Sequence, residues 1–288
     1  MITAVVVTHA APAATLAACV DSIRRAGGVA RIIVVDNGGH AQVTGDDVEL
    51  IRVANHGYGA AANEGFRRAL ADGSAAIALL NDDIIVHAGW SEPLEAALQQ
   101  PRVGAAQPKL LIAGSNPRLV NSLGVEIGRD GAGIDIGDGT LDVVVGAPSE
   151  ITRFTGGAVM FAPAFLRETG GFDERFFLYY EDTDLAARGA ALGWSYRLVP
   201  ASVVEHERSA TTAADRERTR YLQERNRLWH AFRHCDAATQ GRAVWLSVRR
   251  LRHEPKAVHS RALAAGLFSA PGAWCRRIRR ASSTGPLH

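Results

Sequence analysis

Two groups of carboxylates have the residue types and spacing to do chemistry. Asp82-Asp83 follow Asn81 directly, and Glu181-Asp182 with Asp184 follow Tyr179-Tyr180. Adjacent carboxylates offer hard oxygen ligands to Mg²⁺ or Mn²⁺, ions that take one or two carboxylates and fill their shells with substrate phosphate oxygens. A carboxylate crowded by aromatic rings and like charges has a raised pKa, while a helix N-terminus pulls it back, so a poised general base can result. One cluster suits a metal and the other suits proton removal, a division of labour that fits transfer from a phosphate-bearing donor to a hydroxyl. Plainer readings stand beside these. Asn81-Asp82-Asp83 also fits a turn or cap, and Glu181 to Asp184 fits an acidic first helical turn worth roughly 1 kcal/mol.

Further candidates lie between and beyond these clusters. His206 sits between Glu205 and Glu207 after the apolar Val203-Val204. A lone histidine there is more often structural, but as an imidazole ligand it would bias a site toward Mn²⁺. Asn55-His56-Gly57-Tyr58-Gly59 and Asn63 form a small-residue turn into a helix N-terminus, able to admit phosphate or base. This turn lacks the full dinucleotide fingerprint and follows the wrong strand for it.

These side chains need elements to hold them. Ile2 to Val7 is a continuous β-branched run, the mark of a strand buried on both faces. Leu16, Val20 and Ile23 recur at helical spacing after Pro12, and Gly27-Gly28 ends that helix. Residues 32–35 predict a second buried strand running into Asp36-Asn37, and 49–53 a third leading to Asn55. A helix over about 60–71 and a strand over 75–80 follow, and that strand delivers Asn81-Asp82-Asp83. Phe176 to Tyr180 reads as another apolar, strand-like run that delivers Glu181 and Asp182, with a helix over 182–192 behind it. A short helix at 93–100 and strands at 103–106, 153–161, 196–199 and 203–206 are expected, with hairpins and loops across the Gly- and Asp-rich stretch 110–149. From about Thr212 the pattern is helical, punctuated by Pro255 and Pro271.

The alternation predicts an α/β fold with an open, mostly parallel, Rossmann-like central sheet flanked by helices, and a helical C-terminal appendage. Ligands bind such sheets beyond the carboxyl ends of the strands. Thr8, Asp36-Asn37, Asn55 and Asn81-Asp82-Asp83 all fall at strand exits, so the sheet gathers polar groups at one edge, as a nucleotide pocket requires.

With 288 residues, 47% hydrophobic and 22% charged, the chain has the composition of a globular protein. The net charge of +2 hides an asymmetry. Between Gly241 and Arg280, arginines 242, 249, 250, 252, 261, 276, 277, 279 and 280 and Lys256 face a single acid, Glu254. Such a tail reads as a surface for phosphates, anionic lipid headgroups or a partner, or as a solvated helical face. No nucleic-acid partner is expected. Cys19, Cys235 and Cys275 show no paired spacing, which predicts free thiols in a reducing compartment. The N-terminus lacks the pattern of a signal peptide, and no window reaches the roughly 18 apolar residues of a membrane span. A cytoplasmic protein is therefore expected, with any membrane contact peripheral and made by the basic C-terminal helices. Apolar Ala262 to Phe268 offers a homodimer contact.

Taken in order, the motifs resemble a family 2 inverting glycosyltransferase of the GT-A fold, and within it the bacterial rhamnosyltransferase-like branch. The resemblance runs from Ile2 to about Arg227 through Thr8, Val34 to Asn37, Asn55 to Asn63 and Leu80 to Asp83. It continues through Gln107-Pro108-Lys109, Thr155-Gly156-Gly157, Gly171 to Phe177 with Glu181-Asp182, then His206 and Arg225-Asn226. It implies a GT-A domain over 1–210 and a C-terminal helical region over 211–288. It implies that Thr8, Asp36 and Asn63 hold the nucleoside, with Asn37, Asn55, Asp82, Gly156 and Gly157 also on the donor. Asp83 and His206 would serve a divalent metal, Mn²⁺ or Mg²⁺. Asp182 would be the general base, with Glu181 beside it. The implied donor is a dTDP- or UDP-sugar, dTDP-rhamnose first. The acceptor would be a hydroxyl of a glycan, a lipid-linked saccharide or a small molecule. His9-Ala10 departs from the family, which commonly places an aromatic and Asn there. Three other readings compete, a membrane-surface scaffold built on the basic tail, a non-catalytic nucleotide-sugar-binding subunit and a sugar-1-phosphate nucleotidyltransferase. The last calls for a Gly-rich basic loop after the first strand, and Thr8 to Ala14 offers none.

Overall fold

Every residue of Ile2–Thr8 (β1) is buried, a condition met only by a strand covered on both faces. Its side chains alternate between two cores, Ala4 and Val6 on one face and Val5 and Val7 on the other. A computed structural model describes residues 1–207, 216–252 and 257–268 of the chain. It divides into two compact units, one of residues 1–126, 135–177 and 181–211, the other of 127–134, 178–180 and 212–288.

In the first unit the chain proceeds through Ala13–Ala26 (α1), Arg31–Asp36 (β2), Val48–Arg52 (β3), Tyr58–Ala71 (α2), Ala76–Asn81 (β4), Ile84–Val86 (β5) and Ser91–Leu98 (α3). Val103–Ile112 (β6) and Val120–Ser122 (β7) follow, then the Val125–Ile127 (β8)/Gly133–Asp135 (β9) hairpin, of which residues 127–134 belong to the second unit. Then come Ser149–Ile151 (β10), Ala158–Phe161 (β11), Pro163–Thr169 (α4), Glu181–Ala191 (α5) and Ser195–His206 (β12). The main sheet runs β10-β12-β6-β11-β4-β1-β2-β3, with β5 on β12 and β7 on β6. Strands β3, β2, β1 and β4 are parallel, as are β6 and β12, while β11 lies antiparallel between β4 and β6.

Helices cover both faces. Leu16, Cys19, Val20 and Ile23 of α1 and Leu94 and Ala97 of α3 pack with Ala4, Val6 and Leu80. On the opposite face Phe66 of α2, Phe165 of α4 and Leu185 of α5 join Phe154, Phe161, Phe172 and Tyr196. The rings meet mainly edge to face, as Phe154 does with Phe161, Phe165 and Tyr196. Each such side chain contributes roughly 1.5–3 kcal/mol by leaving water. Gly65 lets α2 lie directly on β1, because a Cβ there would run into Val5.

Three expectations are corrected. Phe176 to Tyr180 is not a strand. Glu174–Phe176 is a 3₁₀ turn, and Phe177, Tyr179 and Tyr180 all have positive φ. The aromatic run mimics strand propensity, but here the chain must reverse from that turn into α5. The strands expected at 196–199 and 203–206 are one strand, β12, whose register shifts between Val199 and Val203. That irregularity admits Pro200, which cannot donate to the ladder. The return to the sheet expected at 153–161 begins at Ala158, after an irregular 153–157.

In the second unit, Arg216–His234 (α6) and Ala237–Arg250 (α7) are followed by a helix over 257–268. Leu228, Ala231 and Ala243 form its small apolar core. Beside them Glu224 accepts from Arg227 at 2.7 Å, Ser247 at 2.5 Å and Arg250 at 2.5 Å. The expected boundary at 210, Pro255, Pro271, Cys275 and the arginines from 276 onward lie outside the described residues. Neither Cys19 nor Cys235 forms a disulfide among the described residues.

Candidate active site

The parallel strands β1, β2 and β4 end at Thr8, Asp36 and Asn81, side by side in the sheet. Thr8 is buried, and its hydroxyl favours the charged form of the Asp82 carboxylate. Burial pushes the Asp82 pKa up and Asp83 adds to it, while Thr8 and the His9 amide oppose the rise. Asp36, 1% exposed, accepts 2.8 Å hydrogen bonds from the amides of Gly38 and Gly39 on Oδ1 and of Ala41 on Oδ2. Burial alone would raise its pKa, but these amides and Arg52 outweigh it and hold the carboxyl below the usual range. Its first structural task is thus to shape the 36–41 loop, with one lone pair of Oδ2 left over. Buried Asn37 pairs its Oδ1 with His9 Nδ1 at 2.9 Å.

Beyond β3, Asn55 accepts from the Gly57 amide at 3.1 Å and is exposed. Gly57, at φ 101°, lies against the Phe177 backbone, and the Tyr58 amide donates to the Phe177 carbonyl at 2.7 Å. Only glycine meets both demands. Asn63 bonds the segment 172–174. Its Nδ2 donates to the Phe172 carbonyl and to Glu174, both at 3.0 Å, and its Oδ1 accepts from the Phe172 amide at 2.9 Å.

Asp83 and His206 meet where β5 pairs with β12. His206 Nε2 lies 3.1 Å from Asp83 Oδ1, and its Nδ1 lies 2.7 Å from Asn121 Oδ1. An amide oxygen accepts only, so Nδ1 carries the proton in that contact and the Nε2 lone pair faces Asp83 in the neutral ring. A carboxylate oxygen converging on an imidazole nitrogen, with the other ring nitrogen held by an outer acceptor, is a donor set that fits Mn²⁺. Among the described residues no group of three or more His, Cys, Asp or Glu forms a closed metal cage. Two protein ligands suit an ion that completes its shell with phosphate oxygens and water.

The second acid cluster opens α5. Asp182 Oδ2 accepts from the Gly156 amide at 2.8 Å and Oδ1 from the Thr183 amide at 2.7 Å. Burial raises its pKa to about 6, with those two amides opposing and Asp135 adding. Glu181 is 5% exposed, and its Oε2 has no hydrogen-bond partner among the described residues. Burial, then Asp182, push it up to about 8. Near neutrality the pair therefore shares one proton and carries one negative charge. Asp184 has a structural task, binding Arg188 at 2.8 Å while that guanidinium donates to the carbonyls of Thr169 and Gly171.

Gly156 and Gly157 join the two clusters. Gly156 donates to Asp182, and the Gly157 carbonyl accepts from the Asn81 amide at 2.9 Å, one residue before Asp82. The Tyr58 hydroxyl donates to the Gly156 carbonyl at 2.7 Å. Its pKa is driven far up by burial and then by Glu181, Asp182, Asp82 and Asp83, four carboxylates around one phenol. Tyr58 and Asn121 were not singled out from sequence. Tyr58 lay within a turn read for its glycines, and Asn121 within the Gly-rich stretch, where no periodicity marks it. Gln107 also serves, accepting from the Thr155 amide at 2.8 Å.

Comparison with known proteins bears on the family and the fold. Residues 76–276 match the family model described as glycosyl transferase family group 2, and residues 3–123 match glycosyl transferase family 2. Over 70 residues the chain is 36% identical to N-acetylglucosaminyl-diphospho-decaprenol L-rhamnosyltransferase from two strains of Mycobacterium tuberculosis, a match spanning 24% of this chain and 23% of those relatives. Among solved structures, GalNAc-T7 with UDP, GalNAc and Mn²⁺ superposes with a TM-score of 0.67 at 14% identity, over 88% of this chain and 51% of that one. The mannosyltransferase PcManGT from Pyrobaculum calidifontis, with GDP-Man and Mn²⁺, superposes with a TM-score of 0.53 at 16% identity, over 99% of this chain and 76% of that one. Both share the mixed α/β architecture.

Proposed function

The chain belongs to the family 2 glycosyltransferases of the GT-A fold, and from that premise we propose that it moves a sugar from a nucleoside-diphosphate donor to an acceptor hydroxyl with inversion of configuration. The observation that carries this reading is the Gly156-Gly157 link, which ties a pair of carboxylates suited to a metal-bound diphosphate to a carboxylate suited to proton removal.

Asp182 is the general base. It is ionised near neutrality, and the Gly156 and Thr183 amides fix its orientation. It takes the acceptor proton as the acceptor oxygen attacks the anomeric carbon from the face opposite the nucleoside diphosphate. The new C–O bond forms as the bond to the diphosphate breaks, and both electrons of that bond leave with the diphosphate. Glu181 stays protonated and offers a donor to acceptor or sugar. Thr8, Asp36 and Asn37 line the nucleoside end, where the remaining Oδ2 lone pair of Asp36 can accept from a pyrimidine imide. Asn55 lies at the rim, Asp82 addresses the donor sugar, and Asn63 acts through the 172–174 segment. Asp83 and His206 would hold Mn²⁺ or Mg²⁺, which when bound supplies charge neutralisation for the diphosphate.

The donor we favour is a dTDP- or UDP-sugar, dTDP-rhamnose first, in keeping with the name of the mycobacterial relatives. Those relatives also carry a decaprenol-linked acceptor in their name, and a lipid-linked saccharide is the acceptor class we favour here. A cytoplasmic enzyme in peripheral contact with a membrane would meet both substrates. The test is Asp182→Asn. Transfer should fall by about 10²–10⁴-fold, while the thermal shift given by dTDP or UDP with Mn²⁺ persists. Full transfer activity in that variant would remove the base assignment.

A further inference from the structure

Helix α7 has one face in the second unit's core and one in solvent. Ala243 and Ser247 point inward, and Arg250 reaches Glu224. On the opposite side Trp245 is 61% exposed and Val248 44% exposed. Arg242, Arg249 and Arg252 are exposed around them, and the Arg249 guanidinium stands 5.5 Å from the Trp245 ring centroid. At 100° per residue, positions 242, 245, 249 and 252 form one stripe along the helix. From Ala237 to Arg252 there is no carboxylate, and the three outward arginines have none as partner among the described residues. Neither packing nor ion pairing within the described residues accounts for an exposed tryptophan inside a ring of arginines.

We infer that this face of α7 docks on an anionic lipid bilayer, with Trp245 and Val248 at the headgroup–acyl boundary and Arg242, Arg249 and Arg252 on lipid phosphates. The inference rests on the transferase reading only for its purpose, to hold the enzyme where a lipid-linked acceptor resides. Its physical basis is separate. An indole has an apolar body and a polar N–H, which suits it to the membrane interface. Each arginine near an anionic surface strengthens binding about 5-fold. A second copy of the chain is the poorer occupant, because symmetric pairing of this face sets three arginines against three. Among the described residues no helix is long and apolar enough to cross a membrane, so the contact proposed is a surface one.

The experiment is co-sedimentation of the full chain with vesicles of phosphatidylcholine containing about 30% phosphatidylglycerol, and with pure phosphatidylcholine. Binding should be confined to the anionic vesicles and fall steeply at high salt. Trp245→Ser should weaken it about 10-fold, and the triple variant Arg242→Gln/Arg249→Gln/Arg252→Gln about 100-fold. Each variant is first checked for an unchanged nucleotide thermal shift, which also separates failure of this inference from failure of the transferase reading. Unchanged vesicle binding in both variants overturns the inference. Absence of wild-type binding overturns it outright. So does loss of self-association in Trp245→Ser with vesicle binding intact, which would make the face an interface between copies.

Discussion

Replacing Glu181 by Gln should make the protein more stable at alkaline pH, a counterintuitive result for a residue beside the reacting groups. The Glu181 carboxyl is buried, with its Oε2 unpartnered among the described residues and Asp182 next in the chain. Its pKa is pushed from 4.5 up to about 8. The folded value exceeds the unfolded one, so between them the folded state binds more protons than the unfolded state. Stability therefore falls as pH rises through that window, and the loss is complete above about pH 8. At about 1.4 kcal/mol per pH unit the ceiling is roughly 5 kcal/mol, and sharing a proton with Asp182 brings the expected value to about 3 kcal/mol. Gln keeps the shape and cannot ionise, so Glu181→Gln should show a shallower fall in Tm between pH 5 and pH 8.5. The expected gap at the alkaline end is about 6–12 °C for a chain of this size. The assay is a thermal melt at several pH values in EDTA without nucleotide, wild type beside variant. Parallel Tm curves across the whole range would refute the reasoning, because they would mean that Glu181 is already ionised, or solvated, in the folded protein.

Other consequences follow from the same geometry. Asp83→Ala should abolish the Mn²⁺-dependent part of the nucleotide thermal shift, and an equal shift with Mn²⁺ and EDTA in the wild type would count against a metal at Asp83. Asn121→Leu removes the acceptor that orients His206, so the Mn²⁺ concentration for half-maximal shift should rise about 10–100-fold; an unchanged midpoint would leave His206 a structural residue. Tyr58→Phe should lower stability by about 1–2 kcal/mol through the lost bond to the Gly156 carbonyl. It should also reduce kcat more than KM, because Gly156 orients the base, and a pure KM effect would place Tyr58 on the donor instead.

The strands were legible because burial on both faces writes itself as uninterrupted apolar runs. Ile2 to Val7, 32–35 and 75–80 could be read in this way, and each was found in the sheet to within about two residues. Polar residues at the exits of those strands marked the edge where a site could form. The sequence also showed which acids stand in pairs. What it could not contain was which acid meets which partner, since those distances depend on tertiary contacts. Asp184 is the same residue type as Asp182, yet Arg188 takes one for structure while Gly156 orients the other. Asn63 stands in a turn whose small residues suit a ligand, and only the fold shows that its amide also bonds the 172–174 segment. The aromatic run before Glu181 carried strand propensity, but the chain reverses there, and local preference gave way to the demands of packing. Asn121 orients His206 across 85 residues of sequence. A contact of that kind has no local signature, because it exists only once β6, β7 and β12 have paired.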